Sequence, residues 1–213
     1  MITPLFPGAA LLVPHPDSAP APLSLIQVTL GRGPEGALVL DYRLQGDLGA
    51  LRLPSAAAPA PADRLWAHTC CEVFLRRSGS PTTAGASAGA TATPRPAPDP
   101  RLPPRARPYR EFNFSPSGQW ASYGFAAYRL RDPEAPLPPA PRLEVQGDAG
   151  ELWLRATLEP GALPPGPGVL QVALATVVER QDGSLAYWAL AHGAGQPDFH
   201  GEAGFVLALP PDF

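Results

Sequence analysis

The chain has 213 residues, 45% of them hydrophobic, so it can form one large folded domain over residues 1–213. Its net charge is −3 and its longest basic run is Arg76-Arg77, so the charge pattern of a nucleic-acid-binding protein is missing. All sixteen basic residues are arginines, and with the alanine and proline excess this is typical of a bacterial-type, GC-rich coding sequence.

Three features bear on the compartment of the protein. The N-terminal segment MITPLFPGAALLVPHPDSAP has no early positive charge and is interrupted by prolines, unlike a signal peptide. No stretch approaches the ~20 apolar residues of a membrane span. Cys70 and Cys71 are adjacent, and neighbouring strand residues point to opposite faces, so a disulfide between them would be strained. We expect two buried free thiols, a cytoplasmic protein and no membrane partner.

The first third of the chain predicts short strands rather than helices. Residues 23–30 (LSLIQVTL) and 37–44 (ALVLDYRL) are β-type segments separated by the turn sequence GRGPEG, and 46–53 is a further candidate strand. The alanine- and proline-rich segment 55–62 predicts a flexible joint. The next segment, RLWAH, is either a strand entry or a short helical turn, and CEVFL has the composition of a strand.

Residues 78–108 differ in composition from the rest of the chain. They contain eight prolines, no aromatic residue and one large aliphatic residue, Leu102. Such a segment buries too little apolar surface to offset the entropy of ordering it. The sequence therefore predicts a disordered Pro/Ala-rich insertion loop between two strands.

The remainder again predicts strands separated by turns. YREFNF is followed by the turn SPSG and by WASYGFAAYRLR as one long strand, and residues 131–141 form a proline-rich connection. RLEVQGDAGELWLRATL has the pattern of a hairpin, and VLQVALATVVER, SLAYWALAH and GFVLALP follow as further strands. About ten short strands favour an all-β, jelly-roll-like antiparallel β-sandwich, with a closed barrel as the alternative.

Three separated blocks, DRLWAHTCCEVFL, YREFNFSPSGQWASYGF and YWALAH with PDFH, resemble DOMON-like domain proteins related to family-nine carbohydrate-binding modules. The shared pattern is a Trp shortly before a Glu-containing strand, then Tyr-x-Glu-Phe-Asn-x-Ser-Pro-x-Gly. The resemblance implies a jelly-roll-like sandwich that binds a sugar or, in other branches, haem. Met1 is the only methionine, so the Met–His ligation typical of the haem-binding branch is excluded. A pair chosen from His68, His192 and His200 remains an alternative.

The strand YREFNF carries the main candidate site residues. Alternation puts Tyr109, Glu111 and Asn113 on one face and Phe112 and Phe114 on the other. The polar face is either solvated surface or the wall of a binding site.

Other candidate residues come from neighbouring predicted strands. Glu72 would lie close to the polar face of YREFNF if the two strands pair antiparallel. Sugar binding needs aromatic faces for stacking and planar polar groups for the hydroxyls. Trp66 and Trp188 are the stacking candidates, with core packing as the alternative for each, and Arg129 is a candidate hydrogen-bond partner.

The C-terminal segment AHGAGQPDFHGEAGF contains His192, Asp198 and His200 in a glycine-rich loop. These side chains are suited to bind zinc or a similar ion. The alternatives are a loop held by hydrogen bonds from these side chains, or direct contacts with a ligand.

Nucleophilic and phosphate chemistry lack their sequence signatures, since there is no Gly-x-Ser-x-Gly motif and no glycine-rich phosphate loop. Glu72 and Glu111 would suit glycoside hydrolysis only at the right separation. We therefore predict a non-catalytic domain that binds a carbohydrate or similar small polar ligand without a required cofactor. The alternatives are a metal-dependent hydrolase built on the C-terminal His/Asp cluster, a haem-binding domain, or a protein-interaction domain.

Overall fold

A computed structural model describes residues 2–18, 20, 22–78, 107–166 and 168–209. Its strands are β1 (Thr3–Pro4), β2 (Ala10–Pro14), β3 (Leu23–Arg32), β4 (Leu38–Gly46), β5 (Cys70–Arg77), β6 (Tyr109–Phe114), β7 (Trp120–Ala127), β8 (Leu130–Arg131), β9 (Arg142–Gly147), β10 (Glu151–Leu158), β11 (Leu170–Glu179), β12 (Leu185–Ala189) and β13 (Leu207–Leu209). Its 3-10 helices are Pro34–Gly36, Leu48–Ala50, Leu65–Ala67, Pro160–Ala162 and Glu202–Gly204. None of the helices in these residues has the length and apolar character to cross a bilayer.

All strand pairs are antiparallel, in the order β8-β7-β6-β5-β11-β12-β2-β3-β4-β10-β9, with β1 beside β3 and β13 beside β11. The strand β2 links two halves of this path, because residues 10–12 pair with β3 while Val13 and Pro14 pair with β12. We call β1–β4, β9 and β10 the first sheet, and β5–β8 and β11–β13 the second sheet. The predicted all-β antiparallel sandwich is confirmed.

One core lies between the two sheets, built from alternate residues of each strand. The first sheet contributes Leu40 and Tyr42 of β4, and the second contributes Val73, Phe112 and Phe114. Full burial of such a side chain contributes about 1.5–3 kcal/mol. The Tyr42 hydroxyl also donates a hydrogen bond to the main-chain oxygen of the residue before Val73, at 2.9 Å. The core thus fixes which residues of the second sheet face outward.

The prediction of a strand at residues 46–53 is wrong. Strand β4 ends at Gly46, and residues Leu48–Ala50 form a 3-10 helix. Leu48 and Leu51 are both buried, at 6% and 3% exposed. A spacing of three puts two side chains on one side of a 3-10 turn but on opposite faces of a strand.

Two other segments differ from their predictions. The predicted long strand 120–131 is broken after β7 by a turn in which Arg129 has φ 53°, and β8 then pairs back on β7. The predicted flexible joint at 55–62 is instead hydrogen-bonded beside β7, with the amide of Ala62 and the carbonyl of Trp120 2.8 Å apart. The RLWAH segment forms the helical turn Leu65–Ala67 rather than a strand entry.

The predicted disordered insertion at 78–108 lies outside the described residues except for Ser78, Arg107 and Pro108. Its flanking strands β5 and β6 are adjacent and antiparallel, with Leu75 opposite Arg110. The insertion therefore stands between two strands that pair directly.

Cys70 and Cys71 are both free and buried, as predicted. Cys71 belongs to the core between the sheets, whereas Cys70 packs on the outer face of the second sheet. Because the two side chains point to opposite faces of β5, they have no common environment.

Candidate ligand-binding site

The two faces of β6 have different surroundings. Phe112 and Phe114 pack in the core, with ring centroids 6.1 Å apart. Tyr109, Glu111 and Asn113 point to the outer face of the second sheet and are nevertheless buried, at 6%, 4% and 0% exposed. This polar face is therefore not solvated surface, and each of its groups needs a partner.

A cavity of about 650 Å³ lies over this outer face. Side chains of β5, β6, β11 and β12 form its floor, and the C-terminal loop, the β7–β8 hairpin and the 3-10 helix of Trp66 form its sides. Five of the ten predicted site residues line it: Trp66, Glu72, Glu111, Arg129 and His200. The other five lie behind the lining or elsewhere: Tyr109, Asn113, Trp188, His192 and Asp198.

Glu72 and Glu111 bring two carboxyl groups to the cavity. Antiparallel pairing puts Glu72 opposite Asn113, so the two acids occupy diagonal positions on the same face of adjacent strands. Burial raises the pKa of Glu111 to about 7. Burial, and then the charge of Glu111, raise the pKa of Glu72 well above its ordinary value. Burial of both groups, and the charge of Glu111 acting on Glu72, therefore favour keeping a proton in the pair.

Asn113 holds one oxygen of Glu111. Its Nδ2 donates a hydrogen bond to Oε1 of Glu111 at 2.7 Å. The thiol of Cys70 lies 3.7 Å from Oδ1 of Asn113 and 3.6 Å from Oε1 of Glu72, so the polar groups form a continuous network. Oε2 of Glu111 points the other way and lies 3.9 Å from Nε2 of His200.

His200 forms the opposite wall of the cavity and is held by Tyr109. Its Nδ1 lies 2.8 Å from the Tyr109 hydroxyl, which also accepts a hydrogen bond from the main-chain N–H of Arg129 at 3.1 Å. The rings of Phe74 and Phe125 pack edge-on to the imidazole, with centroids 5.2 and 5.1 Å away. Burial and the charge of Arg129 lower the pKa of His200 to about 4, so the imidazole is neutral at neutral pH.

Asp198 braces the rim of the cavity without lining it. Its Oδ1 accepts hydrogen bonds from Nη2 of Arg129 at 2.9 Å and from the main-chain N–H of His200 at 3.1 Å. Its Oδ2 accepts a hydrogen bond from the Tyr128 hydroxyl at 2.7 Å. This one carboxylate ties the C-terminal loop to the β7–β8 hairpin.

Trp66 lies at the mouth of the cavity with 45% of its surface exposed, which suits a stacking surface. The stacking role predicted for Trp188 is wrong, because this side chain packs in the core between the sheets. Its neighbour Tyr187 faces the cavity instead and packs against Phe199, with centroids 5.9 Å apart. The segment SLAYWALAH is apolar on both faces, so its sequence does not show which face is inward.

The predicted metal-ligand set is not assembled. Nε2 of His192 bonds to the main-chain oxygen of Val13 at 2.9 Å, and its ring packs edge-on to His15. It therefore contacts the N-terminal strand β2, away from the contacts of Asp198 and His200. Within the described residues, no three His, Cys, Asp or Glu side chains are arranged to hold a metal ion.

The histidines do not suit haem either. Nδ1 of His68 lies 2.7 Å from Oε2 of Glu179, His192 bonds to β2, and His200 bonds to β6. Of the three, only His200 lines the cavity. Among the described residues, these three histidines therefore do not place two imidazoles on opposite sides of one cavity.

Sequence reasoning missed several residues of the site. Arg131 lies at the rim with its guanidinium 3.7 Å from the ring of Tyr123, whereas the sequence predicts it only as the last residue of one long strand and the first of a proline-rich connection. The basic dipeptide Arg76-Arg77 does not by itself indicate a role for Arg76 at the site. Arg76 anchors the C-terminal loop through two hydrogen bonds to Glu202, at 2.7 and 2.8 Å. Arg76 and Glu72 are four residues apart on β5, so both side chains point to the same, outer face of the strand. This spacing was the sequence signal that could have placed Arg76 beside the site.

Solved structures similar to this chain include two of a carbohydrate binding module family 9 (CBM9) from Caldicellulosiruptor kristjanssonii. The structure in complex with cellotriose is 11% identical, with a TM-score of 0.46, covering 88% of this chain and 74% of that chain. The structure in complex with glucose is 9% identical, with a TM-score of 0.43, covering 84% and 72%. No protein-family profile and no curated protein matches the chain. A likeness of this degree assigns neither a family nor a ligand, and the resemblance to DOMON-like proteins stays a prediction.

Proposed function

We propose that this chain is a non-catalytic domain that binds a carbohydrate, or a similar small polyol, in the cavity on the outer face of the second sheet. The observation that carries the proposal is the pair of buried carboxyl groups of Glu72 and Glu111 in a cavity of about 650 Å³ with the Trp66 ring at its mouth. Small-ligand sites have volumes of about 300–1,000 Å³.

The chemistry of the lining favours a ligand with many hydroxyl groups. The carboxyl oxygens of Glu72 and Glu111 accept hydrogen bonds, and the guanidinium groups of Arg129 and Arg131 donate them. The aromatic face of Trp66 suits the apolar face of a sugar ring. Since both acidic and basic groups line the cavity, we expect a neutral ligand rather than a strongly charged one.

Binding without turnover is favoured by the state of the two acids. A retaining glycosidase needs an ionised carboxylate as its nucleophile beside a protonated general acid. Among the described residues, Glu72 has no ion-pair partner, and His200, 3.9 Å from Glu111, is neutral. The charges of Arg131 and Arg129 lower the pKa of Glu111 without forming an ion pair with it. Neither acid is therefore held ionised by a cation in contact with it.

The test is glycan-array screening followed by calorimetry on the best ligand. We expect Trp66→Ala to weaken binding strongly. Trp153→Ala is the matched control, because Trp153 lies in the first sheet, where Arg155 packs over its ring at 4.9 Å. No binding across a broad glycan set by folded protein, or equal losses in the two variants, would contradict the proposal. Release of shortened glycans during the assay would contradict the non-catalytic part.

A further inference from the structure

The hydrogen bonds around Tyr109 determine which nitrogen of His200 carries the proton. The Tyr109 hydroxyl accepts a hydrogen bond from the main-chain N–H of Arg129 at 3.1 Å and lies 2.8 Å from Nδ1 of His200. A main-chain N–H can only donate, so the hydroxyl oxygen is the acceptor in the first of these bonds. The hydroxyl proton is then free to be donated to Nδ1.

The other arrangement leaves a buried proton unpaired. If Nδ1 of His200 carried the hydrogen, the Tyr109 oxygen would accept from two N–H groups, and its own proton would have no acceptor among the described residues. Tyr109 is 6% exposed, so an unpaired hydroxyl there is costly. A neutral imidazole has one N–H, so Nδ1 is the acceptor and the hydrogen is on Nε2.

This tautomer sets a donor opposite an acceptor inside the cavity. The Nε2–H of His200 faces Oε2 of Glu111 across 3.9 Å, which is too long for a direct hydrogen bond. The other oxygen of Glu111 is already bonded to Asn113. When the carboxyl group of Glu111 is ionised, a hydroxyl group between the two accepts from Nε2–H and donates to Oε2. An ammonium group has no lone pair to accept with, and a fluorine or an ether oxygen has no proton to donate.

We propose that His200, oriented by Tyr109, is the specificity-determining donor of this site, and that together with Glu111 it selects a ligand with a free hydroxyl group at its buried end. This inference rests on the proposed function and narrows it. The ligand class is a carbohydrate or polyol with that hydroxyl unsubstituted, rather than an amino, deoxyfluoro or O-methyl derivative at that position.

The first test needs no ligand. Long-range ¹H–¹⁵N NMR distinguishes the two neutral imidazole tautomers, and the chain has only four histidines, so loss of one spin system in His200→Asn assigns the signal. We expect the Nε2–H form of His200 at pH 7. Tyr109→Phe should shift the tautomer ratio, whereas Tyr128→Phe should not, because the Tyr128 hydroxyl bonds to Asp198 instead. A predominant Nδ1–H form in the parent protein would overturn the proposal.

The second test measures selection. The probes are methyl α-D-glucopyranoside and methyl α-D-galactopyranoside, each with its monofluoro, amino and O-methyl derivatives, titrated by calorimetry. We expect one ring position at which all three substitutions weaken binding by roughly tenfold or more, since each leaves a buried group unpaired. In His200→Asn, which keeps an acceptor for Tyr109 but lacks the Nε2–H, that discrimination should fall.

The outcomes separate this inference from the proposed function. Parent sugars that bind while every derivative binds equally well would overturn the hydroxyl selection and leave carbohydrate binding standing. If folded protein binds neither these probes nor any glycan on the array, the proposed function and the inference fall together.

Discussion

Nδ2 of Asn113 donates a hydrogen bond to Oε1 of Glu111 at 2.7 Å, and both side chains are buried on the outer face of β6. Residues two apart on a strand point to the same side, so this contact follows from the strand itself. The contact orients the carboxyl group so that its second oxygen faces His200, which makes Asn113 a positioning residue for the cavity.

The first prediction concerns Asn113→Thr. The substitution leaves Oε1 of buried Glu111 without its donor, so we expect a loss of about 1–3 kcal/mol in the free energy of unfolding. The denaturation midpoint in urea measures it. Gln146→Thr, on the exposed edge strand β9, is the control and should change stability by less than about 0.5 kcal/mol. Equal midpoints for parent and Asn113→Thr would contradict the buried network.

The second prediction concerns stability above pH 5. The pKa of Glu111 is raised from 4.5 to about 7, so the folded protein holds a proton that the unfolded chain releases. The corresponding stability is fully present below pH 4.5 and is lost as the pH rises to about 7, by about 3 kcal/mol. Between pH 4.5 and 7, the free energy of unfolding of Glu111→Gln should fall less than that of the parent. Denaturant titrations at several pH values measure this difference. Glu144→Gln, at an exposed position of β9, should follow the parent curve.

The third prediction has the opposite sign. The pKa of His200 is lowered from 6.5 to about 4. Between these two pH values, the imidazole is protonated in the unfolded chain but neutral in the folded protein. The corresponding stability is present above pH 6.5 and is lost as the pH falls towards 4, by about 3 kcal/mol. His200→Asn should remove this part of the acid slope. If His200→Asn and the parent lose the same stability between pH 6.5 and 4, the prediction that the buried imidazole resists protonation is contradicted.

The fourth prediction concerns the anchor of the C-terminal loop. The Arg76 side chain is only 5% exposed and forms two hydrogen bonds to the exposed carboxylate of Glu202. We expect Glu202→Ala to destabilise the fold by about 1–3 kcal/mol, because it leaves a buried cation with fewer partners. Hydrogen exchange should also become faster in residues 191–206. Glu144→Ala, which removes an exposed carboxylate that pairs with Arg142, should cost less than about 1 kcal/mol.

The fifth prediction concerns the insertion. Since β5 and β6 pair directly, replacing residues 79–106 with a short turn should preserve cooperative unfolding, with the melting temperature within a few degrees of the parent. The entropy of loop closure grows only slowly with length, so a shorter loop should stabilise slightly if it has any effect. Loss of the cooperative transition would show that the segment contributes to the folded domain.

Local pattern by itself determined much of the architecture. The strand segments 23–30 and 37–44, the hairpin at 142–158 and the two-faced strand β6 all follow from alternation between apolar and polar residues, which depends only on neighbours in sequence. The same rule assigned Glu111 and Asn113 to one face, and antiparallel pairing with β5 was enough to bring Glu72 close to them. Where alternation failed, as in SLAYWALAH, the prediction for Trp188 failed with it.

Only the tertiary structure decided how the site closes. Residues far apart in sequence meet there: Tyr109 with His200, Arg129 with Asp198 and Arg76 with Glu202. These contacts depend on the path of the C-terminal loop over the second sheet, and no local period encodes that path. The loop takes His200 to the cavity and His192 to β2, so two histidines of one glycine-rich segment have separate roles. The turn at Arg129 likewise has no apolar pattern to reveal it, since its left-handed backbone is stabilised by the hydrogen bond to Tyr109 and by Asp198.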